Sequence, residues 1–226
     1  MGVLAKKTKY DEFRDMEVPE GDTSIYELIK GEIAKRASPN TPHQRASTNL
    51  FLRIGIYNLE KKVGQLFHAP YDVYLDEENA GIQPDILFVT HERDFVIREN
   101  NGIVGAPDLI VEILSKGTTG KDRGDKKDIY EQFAVREYWI ADPQNRSIEV
   151  YRMENNRYRL FSFAEEEGKI QSSVLPDFEL EVSEVFWQGK KRGKHEFPGI
   201  HPMPGNFFAK SAAITCIIGN FQTTFV

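Results

Sequence analysis

Apolar positions in the middle of this chain come in short, nearly unbroken runs. They are PDILFVT from Pro84, PDLIVEILS from Pro107 and EYWIAD from Glu137. Runs of that length, bounded by turn residues, predict strands buried on both faces. QLFHAPYDVYL, interrupted at Pro70, is a further strand candidate. Helical spacing lies upstream. Thr41-Pro42 reads as an N-cap followed by proline at the first helical position, and Ala46, Leu50, Ile54 and Tyr57 follow along one face. This predicts a long amphipathic helix over residues 42–63 that ends at Gly64. Thr119 with Asp122 resembles a capping box and opens a second helix of roughly 120–134.

Shorter signals fill in the ends. YELIKGEIAKRA reads as a hairpin turning near Gly31, and SIEVYRM with RYRLFSFAEE reads as another, joined at Asn155-Asn156. SEVFW is a short closing helix. The central order is therefore helix, strand, strand, strand, helix, strand, which predicts an α/β fold with a mixed sheet flanked by helices. Three segments are expected: a lead-in over 1–22, a main domain over 23–187, and a C-terminal tail over 188–226. The tail carries basic GKKRGKHEFPG and then an apolar stretch too interrupted to span a bilayer.

Within these buried strands sit carboxylates. An unpaired carboxylate in such a core is costly and must be paired, hydrogen-bonded or metal-bound. Alternation along a strand puts Asp108, Ile110, Glu112, Leu114 and Lys116 on one face. Asp108 and Glu112 are about 13 Å apart along the strand, too far to share one ion. Asp85, at the head of the preceding apolar run, is the natural partner for Glu112. Two carboxylates on adjacent strands suit magnesium, with manganese as a substitute, because magnesium keeps several waters and completes its shell with substrate phosphate. A nearby lysine would stabilise the negative charge that grows in phosphodiester hydrolysis.

Charge narrows the partners. The net charge of -6 excludes nucleic-acid binding by bulk electrostatics, so such a role needs a local patch. Lys116, Lys121, Arg123, Lys126 and Lys127, against Asp122 and Asp125, offer one beside the candidate metal pair. The single cysteine, Cys216, excludes an internal disulfide and a cysteine zinc site. No run approaches membrane-spanning length and the N-terminus lacks an apolar signal core, so the expected location is the cytoplasm.

The stretches YELIKGEI, SPNTPH, QPDILFV, GAPDLIVEILSKGT, DRGDKKDIY and REYWIADP, in that order from Tyr26 to Tyr151, resemble the PD-(D/E)XK nuclease superfamily. Within it they resemble the Uma-type restriction endonucleases, a bacterial family abundant in cyanobacteria. The resemblance implies a restriction-endonuclease-like core and a metal-dependent endonuclease acting on DNA. Asp85 then matches the motif aspartate and Glu112 the acid of the third strand. The superfamily lysine would fall at position 114, where this chain has Leu114, and the resemblance moves it to Lys126. Asp122, Lys126 and Tyr130 share one helical face. Glu27 and Glu32 match the hairpin acids and His43 a histidine at the first long helix. Lys116 departs from a proline common in the family, yet it lies on the Glu112 face.

Each residue also has a structural reading. Asp108 after Pro107 reads as a cap at the start of its strand. Lys126 could be a solvated helix residue, Glu27 and Glu32 surface charges, and His43 a hydrogen-bonding group at a helix start. Tyr138 and Trp139 read as core or interface. A homodimer is expected, since cutting two strands needs two sites. The rival class is a non-catalytic nucleic-acid-binding or assembly module that keeps the nuclease fold.

Overall fold

The chain lays down a mixed sheet in the order its apolar runs predict. The computed structural model describes residues 7–22, 24–36, 38–115, 120 and 122–187. Lys116, Thr119, Lys121 and the tail from 188 onward lie outside the described residues. Helix α1 (Tyr10–Arg14) precedes a hairpin of β1 (Ile25–Ile29) and β2 (Glu32–Arg36). Lys30 and Gly31 both take positive φ there, the geometry of a two-residue turn whose twist matches the strands.

Helix α2 spans Thr41–Lys61. Its N-cap is Asn40 rather than Thr41, because the Asn40 side chain accepts the His43 N–H at 3.0 Å. Pro42 therefore sits one position deeper than expected. The helix ends at Lys62 in the left-handed conformation, ahead of Gly64. Ala46, Leu50 and Ile54 face the sheet.

Strands β3 (Gly64–His68), β5 (Ile86–Thr90), β8 (Leu109–Ile113), β9 (Glu137–Asp142), β10 (Ser147–Glu154) and β11 (Arg157–Glu165) form one six-stranded sheet. Its order is β11-β10-β9-β8-β5-β3. Only β8 and β9 are parallel in it. A parallel pair needs a crossover, and α3 (Lys127–Gln132) supplies it. The β10–β11 turn falls at Asn155-Asn156, both at positive φ.

Strands β4 (Val73–Tyr74), β6 (Ile97–Arg98) and β7 (Gly102–Val104) make a small side sheet, and β12 (Lys169–Gln171) pairs with β13 (Glu179–Glu181). The sequence pattern missed β6, β7, β12 and β13, which are too short to show a period. Helix α4 (Val182–Val185) closes the described chain.

Alternation on β8 divides the core into two layers. Leu109, Val111 and Ile113 pack with α2, while Ile110 and Leu114 pack with Ile129, Tyr130 and Tyr138 on the α3 side. Glu112 has the parity of this second layer. Among the described residues, no helix is long and apolar enough to cross a membrane.

Candidate active site

β5 and β8 are antiparallel with Ile86 opposite Val111. One more step of that register sets Asp85 opposite Glu112 at the end of the sheet. Asp85 is nearly fully buried, and its Oδ2 accepts the Ile113 N–H at 2.7 Å. The same oxygen lies 3.1 Å from His43 Nε2. Burial works against the charged carboxylate. The His43 contact, the Arg36 charge and the Ile113 N–H outweigh it, so Asp85 titrates below its ordinary range. His43 Nδ1 is buried without a hydrogen-bond partner among the described residues.

Glu112 is the fourth of the five residues of β8, a strand that lies between β5 and β9, and it is fully buried. Its Oε1 accepts from Lys126 Nζ and from Tyr130 OH, both at 2.8 Å. Its Oε2 is buried and has no hydrogen-bond partner among the described residues. Burial pushes its pKa up to about 8, against the pull of Lys126. Lys126 moves the opposite way to a lone buried amine. Burial would lower it, but the charges of Glu112 and Glu27 raise it, so the ammonium is held charged. Burial also pushes the Tyr130 phenol up, keeping it a donor.

Lys126 and Tyr130 reach one oxygen because they are four apart, one at the N-cap of α3 and the other in its first turns. The helix enters through a π-helical turn over Asp122–Lys126, a form that often marks functional sites. Asp122 Oδ1 lies 4.0 Å from Lys126 Nζ. Tyr138 is core, as its structural reading had it, and its hydroxyl donates to the Asp122 carbonyl at 2.9 Å.

The hairpin contributes two residues. Glu27 is buried, and its Oε1 accepts from Lys126 Nζ and from Gln83 N, each at 2.9 Å. Arg36 Nη1 donates to the Gln83 carbonyl at 3.0 Å and lies 3.5 Å from Glu27 Oε1. Arg36 Nη2 lies 3.4 Å from Asp85 Oδ1. Sequence reasoning gave Arg36 no role. The signal was the turn: with Lys30-Gly31 at its corner, Ile25 pairs with Arg36 and Glu27 with Ala34, so Glu27 and Arg36 share a face. Glu32 shares that face too, but it sits at the turn end, exposed and away from the cluster.

Other expected residues lie elsewhere. Asp108 caps a strand: its Oδ2 accepts from Thr90 N and Oγ1, and its Oδ1 from Arg136 at 3.2 Å. Nothing brings it to Glu112. The described members of the expected basic patch have partners from elsewhere in the fold. Arg123 is paired with Glu149 at 2.7 Å. Lys127 is half-buried with Nζ 3.5 Å from the centre of the Tyr151 ring, a cation–π contact rather than a solvated charge. Strand β10 supplies both partners, which local sequence could not reveal. Lys116 and Lys121 are outside the described residues.

Glu27, Asp85, Glu112 and Asp122 face two fixed cations, Arg36 and Lys126, within one buried region. With all four acids ionised, the region holds an excess of two negative charges. Among the described residues no three carboxylates or imidazoles converge as a ready ligand set. Two carboxylates suffice for magnesium, which retains water. The unpartnered Glu112 Oε2 fits one divalent cation held by Asp85 and Glu112, whose charge would draw the Glu112 carboxyl into its ionised form.

Comparison with known proteins agrees with this architecture. Residues 10–183 match a family model described as "Uma2: Putative restriction endonuclease". A solved structure, a putative nuclease belonging to DUF820 from Anabaena variabilis ATCC 29413, is similar with a TM-score of 0.63 at 20% identity. The likeness covers 79% of this chain and 97% of that one, and it shows a shared restriction-endonuclease-like fold. No curated protein matches the chain.

Proposed function

Because this chain belongs to the Uma2 family of restriction-endonuclease type, we propose that it is a metal-dependent endonuclease that hydrolyses phosphodiester bonds in DNA. The single observation that carries the reading is the buried Glu112 Oε2, an oxygen without a hydrogen-bond partner among the described residues, on the residue that the strand register sets opposite Asp85. Asp85 and Glu112 would hold magnesium, or manganese in its stead. The bound ion would supply Lewis-acid polarisation of the phosphodiester and a more acidic water.

The protein's own groups do the rest. The Ile113 N–H and His43 fix the Asp85 carboxylate. Tyr130 donates to Glu112 Oε1 and so leaves Oε2 as the oxygen for a ligand. Lys126, anchored by Glu27, brings a charged ammonium to the same place. Beside a phosphate, that ammonium would meet charge as it develops in the transition state. The protein works in the cytoplasm as a homodimer, each copy cutting one strand. Leu52, Ile56 and Leu59, exposed along one side of α2, support the dimer.

One observation favours a second reading. Glu27, Asp85, Glu112 and Lys126 are each 5% exposed or less, so the cluster could serve as the ion-paired core of a non-catalytic nucleic-acid-binding module. A cleavage assay decides. Supercoiled, linear and single-stranded DNA, and RNA, are incubated with magnesium, manganese or chelator. Metal-dependent cleavage lost in Glu112→Gln supports the nuclease. Binding without cleavage under every condition supports the module.

A further inference from the structure

Arg36 stands inside the acid cluster, and the chemistry proposed above does not use it. Its side chain is nine-tenths buried, at 9% exposure. Its shortest bond, 3.0 Å, goes to the backbone carbonyl of Gln83, while its carboxylate contacts at Glu27 and Asp85 are 3.5 and 3.4 Å. A committed charge-assisted bond runs about 2.7–2.9 Å. The guanidinium is therefore tethered to backbone and only leans on the two acids.

The oxygens of Asp85 are divided. Oδ2 is committed to Ile113 N and His43. Oδ1 accepts only the long contact from Arg36 Nη2 among the described residues. On Glu112 the oxygen left over is Oε2. A cation held by both acids would meet Oδ1 and Oε2 as their least committed oxygens, and there it would compete with Arg36 for Oδ1. We infer that Arg36 is a resident counter-ion: it occupies the less committed oxygen of Asp85, balances the charge of the metal-free site, and sets how tightly a divalent cation binds. The inference rests on the metal reading of this site. The Gln83 tether lets Nη2 withdraw while Nη1 stays bonded, so displacement needs no unfolding of the hairpin.

The test uses the full chain, stripped with chelator, as wild type, Arg36→Met and Arg36→Lys. Manganese binding is measured directly by calorimetry, and melting temperature is followed with and without manganese. Arg36→Met should bind manganese at least tenfold more tightly and show a larger manganese-induced rise in melting temperature. Arg36→Lys keeps a charge but loses the fork, so its affinity should fall between the two. If Arg36→Met does not fold, Arg36→Lys decides alone. Affinities equal to or weaker than wild type overturn the role of Arg36 and leave the metal reading intact. Absence of manganese binding in every protein, wild type included, removes the metal reading and this inference with it.

Discussion

Replacing Lys126 by methionine keeps most of the side-chain volume and removes the charge. In the metal-free protein this deprives Glu112 and Glu27 of ammonium contacts at 2.8 and 2.9 Å. Removing one partner from a buried pair costs about 3–5 kcal/mol, the loss expected near pH 7. The loss should then grow with pH. Burial lifts Glu112 from its ordinary 4.5 to about 8 even with Lys126 in place. A carboxyl raised on folding gives its full stabilisation below about pH 4.5, and that stabilisation is lost as pH rises through 8. Lys126 opposes the rise, so without it Glu112 titrates higher still and the variant keeps losing stability after the wild type has stopped. Above pH 8 the gap should widen by about 1.4 kcal/mol per pH unit, or about 2 kcal/mol by pH 9.5. Urea unfolding in chelator at pH 6, 8 and 9.5 measures it. Adding Glu112→Gln to the Lys126→Met background should flatten the trend. A cost below about 1 kcal/mol at every pH, or a gap that stays constant from pH 8 to 9.5, would refute the reasoning.

On cleavage rate, Lys126→Met should lose on the order of a hundredfold or more, the scale of one electrostatic group at a transition state. Lys127→Met, whose ammonium sits on the Tyr151 ring, should leave the rate nearly unchanged; equal losses in single-turnover assays would contradict the assignment. Gly64→Ala should destabilise by about 1–3 kcal/mol in thermal unfolding, since an added Cβ would meet the Val89 carbonyl oxygen at 2.2 Å and the Phe88 ring at 2.5 Å.

The sheet was legible because its central strands are buried on both faces and read as unbroken apolar runs. The acids Asp85 and Glu112 stood out against that background, and the four-residue step from Lys126 to Tyr130 revealed a shared face. What escaped notice depends on long-range pairing. Arg123 and Lys127 look like solvated cations until β10 brings Glu149 and Tyr151 under them. Arg36 looks like a surface residue until the hairpin register turns it inward beside Glu27. Asp108 and Asp85 follow prolines in identical Pro-Asp pairs, yet one meets Thr90 and Arg136 and the other His43 and Ile113. Only the neighbouring elements tell them apart.

The Lys126–Glu27 bond joins residues 99 apart in the chain. A ribosome adding about 5–20 residues per second needs about 5–20 s to cover that span. Through that interval the nascent hairpin carries Glu27 and Arg36 without the lysine or the strands that complete the cluster. Until Lys126 and the strands around it follow, the chain cannot present the assembled acid–ammonium cluster.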